Sequence, residues 1–186
     1  NTNAKWFMVA GSGLHGYDGR AAAGAKLFAV ELGAPLGTAP TVKKLSVGSW
    51  SSFMGDPITF DQELDYRSDV VYVGRTIDPT SSGIGQWTGK LYRLTMGECA
   101  TAPCSTGTWG IPSGANRIPT EMVTEVSLSS GLMYLGPVTT YPTVTVDDVG
   151  AVWNFFGTGR FYRTADKSNT DTQYLVGVKD SVMRSG

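Results

Sequence analysis

The apolar and polar positions of this chain follow a period of two, or run as short aromatic and β-branched blocks stopped by glycine, rather than the 3.6-residue period of a helix. The clearest block is Val152-Trp-Asn-Phe-Phe-Gly-Thr-Gly-Arg160, followed by a polar loop and a second block, Gln173-Tyr-Leu-Val-Gly-Val-Lys-Asp180. Two such blocks around a polar loop predict an antiparallel hairpin. The unit recurs: Trp6 to Gly13 is followed by Lys26 to Leu32, and Val70 to Arg75 by Lys90 to Met96. Gly11 to Gly74 is 63 residues and Lys26 to Lys90 is 64, while Gly74 to Gly157 and Leu91 to Tyr174 are both 83. A repeat protein with large insertions is expected, with units at about 1–48, 49–133 and 134–186.

Along the chain, the loop Leu14 to Ala25 is too rich in glycine for a dependable helix despite three consecutive alanines. Val42 to Val47 reads as a short edge strand closing the first unit. Gly55 to Asp61 leads into the second unit and Tyr134 to Asp147 into the third, with Pro57 lying 17 residues before Gly74 and Pro142 lying 15 before Gly157. Gln86 to Met96 alternates as a strand, and Pro119 to Leu128 suits a strand or a single helical turn after Thr120. The fold class is all-β. Repeats of three or four short antiparallel strands are most economically the blades of a β-propeller, here about three four-stranded units of a larger ring with an open flank. A blade of roughly 40 to 45 residues leaves about 20 to 40 residues of inserted loop per repeat.

Composition narrows the partners. A net charge of -1 and a pI near 5.8 offer no clustered positive field for nucleic acid or an anionic membrane. No apolar run approaches the roughly 18 residues of a spanning helix, and the Asn at position 1 leads the reading to a processed chain or a fragment. Cys99 and Cys104 enclose Ala-Thr-Ala-Pro, a spacing that admits a small disulfide loop, the common outcome in an oxidising compartment; free thiols or half of a metal site are the alternatives. With His15 as the sole histidine, a zinc site of the usual ligands has too few partners.

The pattern Val152 to Arg160, with Asp166, Asp171 to Tyr174 and Gly177 to Asp180, resembles the closing segment of the β-propeller in the PilC/PilY family of type IV pilus tip-associated adhesins. Trp6 to Gly13 with Lys26 to Leu32, Ser68 to Gly74 with Lys90 to Arg93, and the strands containing Pro57 and Pro142 extend the resemblance over nearly the whole chain. It implies an acidic calcium loop with carboxylates at positions one, three, five and nine, matched by Asp61, Glu63, Asp65 and Asp69, and the backbone carbonyl of Arg67 at position seven. Four carboxylates so close repel one another unless a hard cation neutralises them, and calcium takes six to eight oxygens. Glu63 departs from the usual Asp or Asn, and Leu64 and Tyr66 stand where small residues ease the turn, so a solvated acidic turn is the alternative.

What the resemblance implies is an extracellular, cell-surface or pilus-tip module for calcium-dependent adhesion or binding and for pilus biogenesis, not an enzyme. Its partners would be minor pilus subunits or a surface ligand, together with the remainder of the propeller from the parent chain or another chain. A quinoprotein-type propeller dehydrogenase is the catalytic alternative, for which no converging set of carboxylates and basic residues can be assigned; a purely structural extracellular repeat is the third.

Other residues read more plainly. Gly11-Ser-Gly13 and Gly157-Thr-Gly159 are turn glycines rather than phosphate loops, for want of a strand-to-helix context and a following Lys. Ser12 has no nucleophile's setting and His15 no triad partners. Trp6 and Trp153 are expected in the blade core, whereas Trp87 and Trp109, in inserted loops, are open to stacking on sugars. Asp166, Asn169 and Asp171 are expected to cap turns rather than hold a second cation.

Overall fold

The aromatic and β-branched runs do form hairpins, and their register gives the repeat a sharper definition than spacing alone. The computed structural model describes residues 5–96, 106–113, 116–128 and 131–183. In the first repeat, β1 (Phe7–Gly11) pairs antiparallel with β2 (Gly24–Glu31), and β2 pairs with the front of β3 (Val42–Phe60). The expected closing edge strand and the strand leading into the next unit are thus one continuous β3. It changes partner at its middle: Ser51 lies opposite Gly24 of β2, and Ser52 opposite Ile77 of β4 (Val70–Ile77).

The second repeat continues through β4 to β5 (Thr88–Thr95). Between them lies the one α-helical turn among the described residues, α1 (Pro79–Ser82), where Asp78 caps the Thr80 amide and Pro79 occupies the first turn. Beyond β5 come β6 (Ile111–Ser113), β7 (Asn116–Ile118), β8 (Thr120–Val123), β9 (Glu125–Leu128) and β10 (Gly131–Tyr134). The run 119–128 is therefore two short strands parted at Thr124, not a helical turn. β8 adds to β5, β6 pairs with β7, and β9 with β10. The third repeat is β11 (Thr143–Val146), β12 (Ala151–Gly157) and β13 (Leu175–Met183), in that order across the sheet. Regular pairing in the strand leading into it begins only at Thr143, although Leu135 and Val138 before it are fully buried.

Cross-strand register aligns the three hairpins: Gly11 lies opposite Leu27, Gly74 opposite Leu91, and Gly157 opposite Leu175. The partner of Leu91 in the third repeat is thus Leu175, one residue beyond the Tyr174 expected from sequence spacing. Trp6 shifts likewise, so that Phe7 is the equivalent of Trp153. Trp6 is 79% exposed, contrary to its expected place in the core, while Trp109 from the inserted segment is buried edge-to-face against Phe7 at 5.0 Å.

Burial follows from stacking. One face of the first sheet (Ala25, Leu27, Ala29, Leu45, Val47) packs against Val71, Val73, Tyr92 and Leu94 of the second. The second's opposite face meets the third repeat through Tyr72 with Val152 and through Leu91 with Val138 and Phe156. All eight residues of β4 are consequently buried. Glycine appears where another chain segment crosses the sheet: a Cβ on Gly11 would lie 2.2 Å from the Gly55 carbonyl oxygen, and one on Gly74 2.4 Å from Val138. At Gly157 the same position meets nothing within 4 Å, and Leu175 opposite it is 85% exposed.

Candidate functional site

The acidic stretch forms the connection between β3 and β4, closed at its neck by the Asp69 amide donating to the Phe60 carbonyl at 3.0 Å. Inside the loop the carboxylates bind its own backbone. Asp61 accepts from the amides of Asp65 (3.2 Å) and Tyr66 (2.8 Å), and Asp69 from those of Gln62 (2.6 Å) and Glu63 (3.2 Å). Asp65 accepts from the Arg67 amide at 2.9 Å and lies 3.7 Å from the Arg67 guanidinium, a contact exposed enough to contribute little. Glu63 is exposed.

Leu64 and Tyr66 have φ of 57° and 68°, and they are the only non-glycine residues with positive φ among those described. Both positions are ones at which a calcium loop ordinarily turns on small residues. The backbone reaches the left-handed region without glycine, at a cost of roughly 1–2 kcal/mol each, offset by the amide bonds to Asp61. The donor set is chemically suited to calcium, being all oxygen with four carboxylates. As placed, the carboxylates face amides rather than one another: among the described residues no group of three or more His, Cys, Asp and Glu is arranged to hold a metal ion. Cys99 and Cys104 lie outside the described residues.

Two polar clusters hold the repeats together, and neither has a local sequence signal. Tyr72 donates its hydroxyl to Asp180 at 2.8 Å across 108 residues, and Arg93 pairs with the other Asp180 oxygen at 2.5 Å. Burial, the Asp180 hydrogen bond and its charge together push the Tyr72 phenol well above its ordinary range. Arg160, whose side chain is 1% exposed, joins three inserted loops: it pairs with Asp166, donates to the Asp18 carbonyl at 2.9 Å, and stacks 3.7 Å over the Trp87 ring. Burial would raise the Asp166 carboxyl, but the amides of Tyr162 and Arg163 and the Arg160 guanidinium outweigh it and hold it low. Asp166 and Asn169 thus cap turns, Asn169 accepting from the Asp171 amide at 2.6 Å. His15 accepts the Ala22 amide at 3.1 Å, and Ser12 accepts from Lys26 and Met54, so both serve as loop ties.

Over 99% of the chain, this structure is similar to the crystal structure of the Pseudomonas aeruginosa PilY1 C-terminal domain, with a TM-score of 0.63 and 21% sequence identity. The chain has the PilY1 C-terminal fold. It spans 36% of that structure's chain. No protein-family model matches the sequence, and no curated protein matches it. The PilY1-like arrangement is all-β and β-propeller-like, and no helix among the described residues is long and apolar enough to cross a membrane. Within it the acidic loop tops the β3–β4 turn, while Arg160 and Trp87 organise the inserted loops.

Proposed function

We propose that this chain is part of an extracellular, type IV pilus-associated binding module, acting by adhesion rather than catalysis, with a calcium-responsive loop at Asp61 to Asp69. The observation that carries the reading is the PilY1 C-terminal fold along essentially the whole chain. Asp61, Glu63, Asp65 and Asp69 would hold the ion with the Arg67 carbonyl, and a bound ion would supply the positive charge that four neighbouring carboxylates lack. Asp61 and Asp69 already fix the loop backbone by accepting four hydrogen bonds from its amides, so Glu63 and Asp65 are the side chains that would turn inward. Surface ligands or minor pilus subunits are the proposed partners.

Further blades of the same kind would cover the flanks. The internal repeat supports this, because Gly11 and Gly74 are each crossed by a following segment and Gly157 is bare.

Calcium at a hundredfold excess over its dissociation constant should stabilise the fold by about 2.7 kcal/mol, read as a rise in melting temperature. Asp65→Ala should remove most of that increment; Asp166→Ala should lower the baseline and leave it. A melting temperature unmoved by chelator sinks the calcium reading. Deleting the domain from its parent protein should reduce surface piliation or pilus-dependent attachment, and unchanged piliation and attachment would overturn the pilus reading.

A further inference from the structure

The inserted loops border an open cavity of about 500 Å³ remote in sequence from the acidic loop. It is walled by three separate segments: Gln86-Trp87 ahead of β5, Gly131 to Tyr134 on β10, and Thr170 to Tyr174 ahead of β13. Its size falls within the range of small-molecule sites, about 300–1,000 Å³.

The chemistry of its lining is specific. Trp87, Tyr134 and Tyr174 contribute aromatic surface, and Gln86, Asp171 and Gln173 contribute an amide, a carboxylate and a second amide. The walls are anchored from outside. Arg160 stacks on Trp87 at 3.7 Å, and the Gln173 amide is fixed between the Thr158 hydroxyl at 3.0 Å and the Asp171 carbonyl at 3.1 Å. Thr158 also accepts the Tyr174 amide at 2.8 Å. The side chains of Gln86 and Asp171, by contrast, have no hydrogen-bond partner among the described residues, and both are exposed. No Lys or Arg lines the cavity.

We infer that this cavity binds a neutral saccharide of one or two rings. A pyranose presents C–H groups, with partial positive charge, on one face and hydroxyls around its rim. The first suits the negative face of an aromatic ring, and the second suits planar amides, which donate and accept, beside a carboxylate, which accepts. A flat apolar ligand would leave Gln86 and Asp171 desolvated without partners, and an anionic one would face Asp171 with no opposing cation. Pre-anchored walls lower the ordering cost of binding. The inference rests on the reading of the domain as a binding module and names the class of ligand.

The test is a titration of the purified chain, followed by tryptophan fluorescence and by calorimetry, with galactose, N-acetylglucosamine, lactose and chitobiose, and with sialyllactose as the charged arm. At least one neutral sugar should bind saturably, and sialyllactose should bind no better than lactose. Gln86→Ala and Asp171→Ala, both at exposed side chains, should leave the melting temperature in place and weaken binding at least about threefold. Trp87→Ala should weaken it about tenfold or more, but it also removes the seat of Arg160, so the two exposed variants decide. Absence of binding by every neutral sugar, preference for sialyllactose, or unchanged affinity in both exposed variants overturns the proposal. The calcium and piliation tests read independently: a saccharide failure beside a calcium shift and a piliation defect removes this site alone, whereas absence of the piliation defect removes the module reading itself.

Discussion

Gly74 and Gly157 occupy the same place in two copies of one hairpin, each opposite a leucine, yet their surroundings are opposite. Around Gly74 the strand is buried on both faces, Leu91 is inaccessible, and Val138 crosses so closely that no side chain fits. Around Gly157 the face carries Phe155 at 41% and Leu175 at 85% exposure, and nothing lies within reach of a Cβ. The hairpin's opposite face is ordinary core: Val152, Asn154, Phe156 and Asp180 are buried. One local pattern therefore yields a two-sided core in the middle of the stack and a one-sided sheet at its flank. Burial here is a property of neighbours, not of the hairpin.

The largest effect that tests this difference lies in β13, where adjacent residues point to opposite faces. Asp180→Ala strands Arg93 and the Tyr72 hydroxyl in the interior and should cost about 3–5 kcal/mol in denaturant unfolding. Lys179→Ala, on the bare face beside Trp153 and 3.9 Å from Asp147, should stay within about 0.5 kcal/mol. Similar losses from the two would break the comparison.

Titration sharpens it next. Burial raises the Tyr92 phenol from 10.0 to about 12, with Arg75 opposing and Glu121 adding to the shift. The neutral phenol is the form the folded state favours, so its contribution is fully present below pH 10 and is lost as pH rises from 10 toward 12. A shift of that size corresponds to roughly 2–3 kcal/mol. Alkaline melting curves should therefore fall across that window, and Tyr92→Phe should flatten the fall; an equal fall in the variant would assign it elsewhere.

The smallest pair is the glycines themselves. Gly74→Val must displace the Val138 backbone and should cost about 1–3 kcal/mol, whereas Gly157→Val should change stability by no more than about 0.5 kcal/mol. Were the covering segment supplied in a longer piece of the protein, the second value should rise toward the first. Equal values in this chain would show that the two positions are not equivalent.

Alternation and turn glycines were enough to read all three hairpins and the all-β class, because period, propensity and turn chemistry are local, whereas the acidic loop between β3 and β4 was singled out by the family resemblance. They misplaced Trp6 in the core, placed there too Trp153, which lies half-buried on the bare face, and aligned Leu91 with Tyr174 instead of Leu175. Spacing counts residues through loops of different length, whereas register is decided by hydrogen-bond pairing across the sheet. Arg160 was legible only as the end of a motif. Its partners Asp18 and Trp87 come from other repeats, and no local pattern announces a contact across 142 residues.

The sequence by itself determined where strands form, where they turn, and that carboxylates gather between two of them, since each depends on a few adjacent residues. The tertiary structure alone decided which faces of those strands are core, which glycine lies under a crossing segment, and which loops meet to form a cavity. Those outcomes depend on how one sheet stacks on the next, and stacking is set by surfaces contributed from distant parts of the chain.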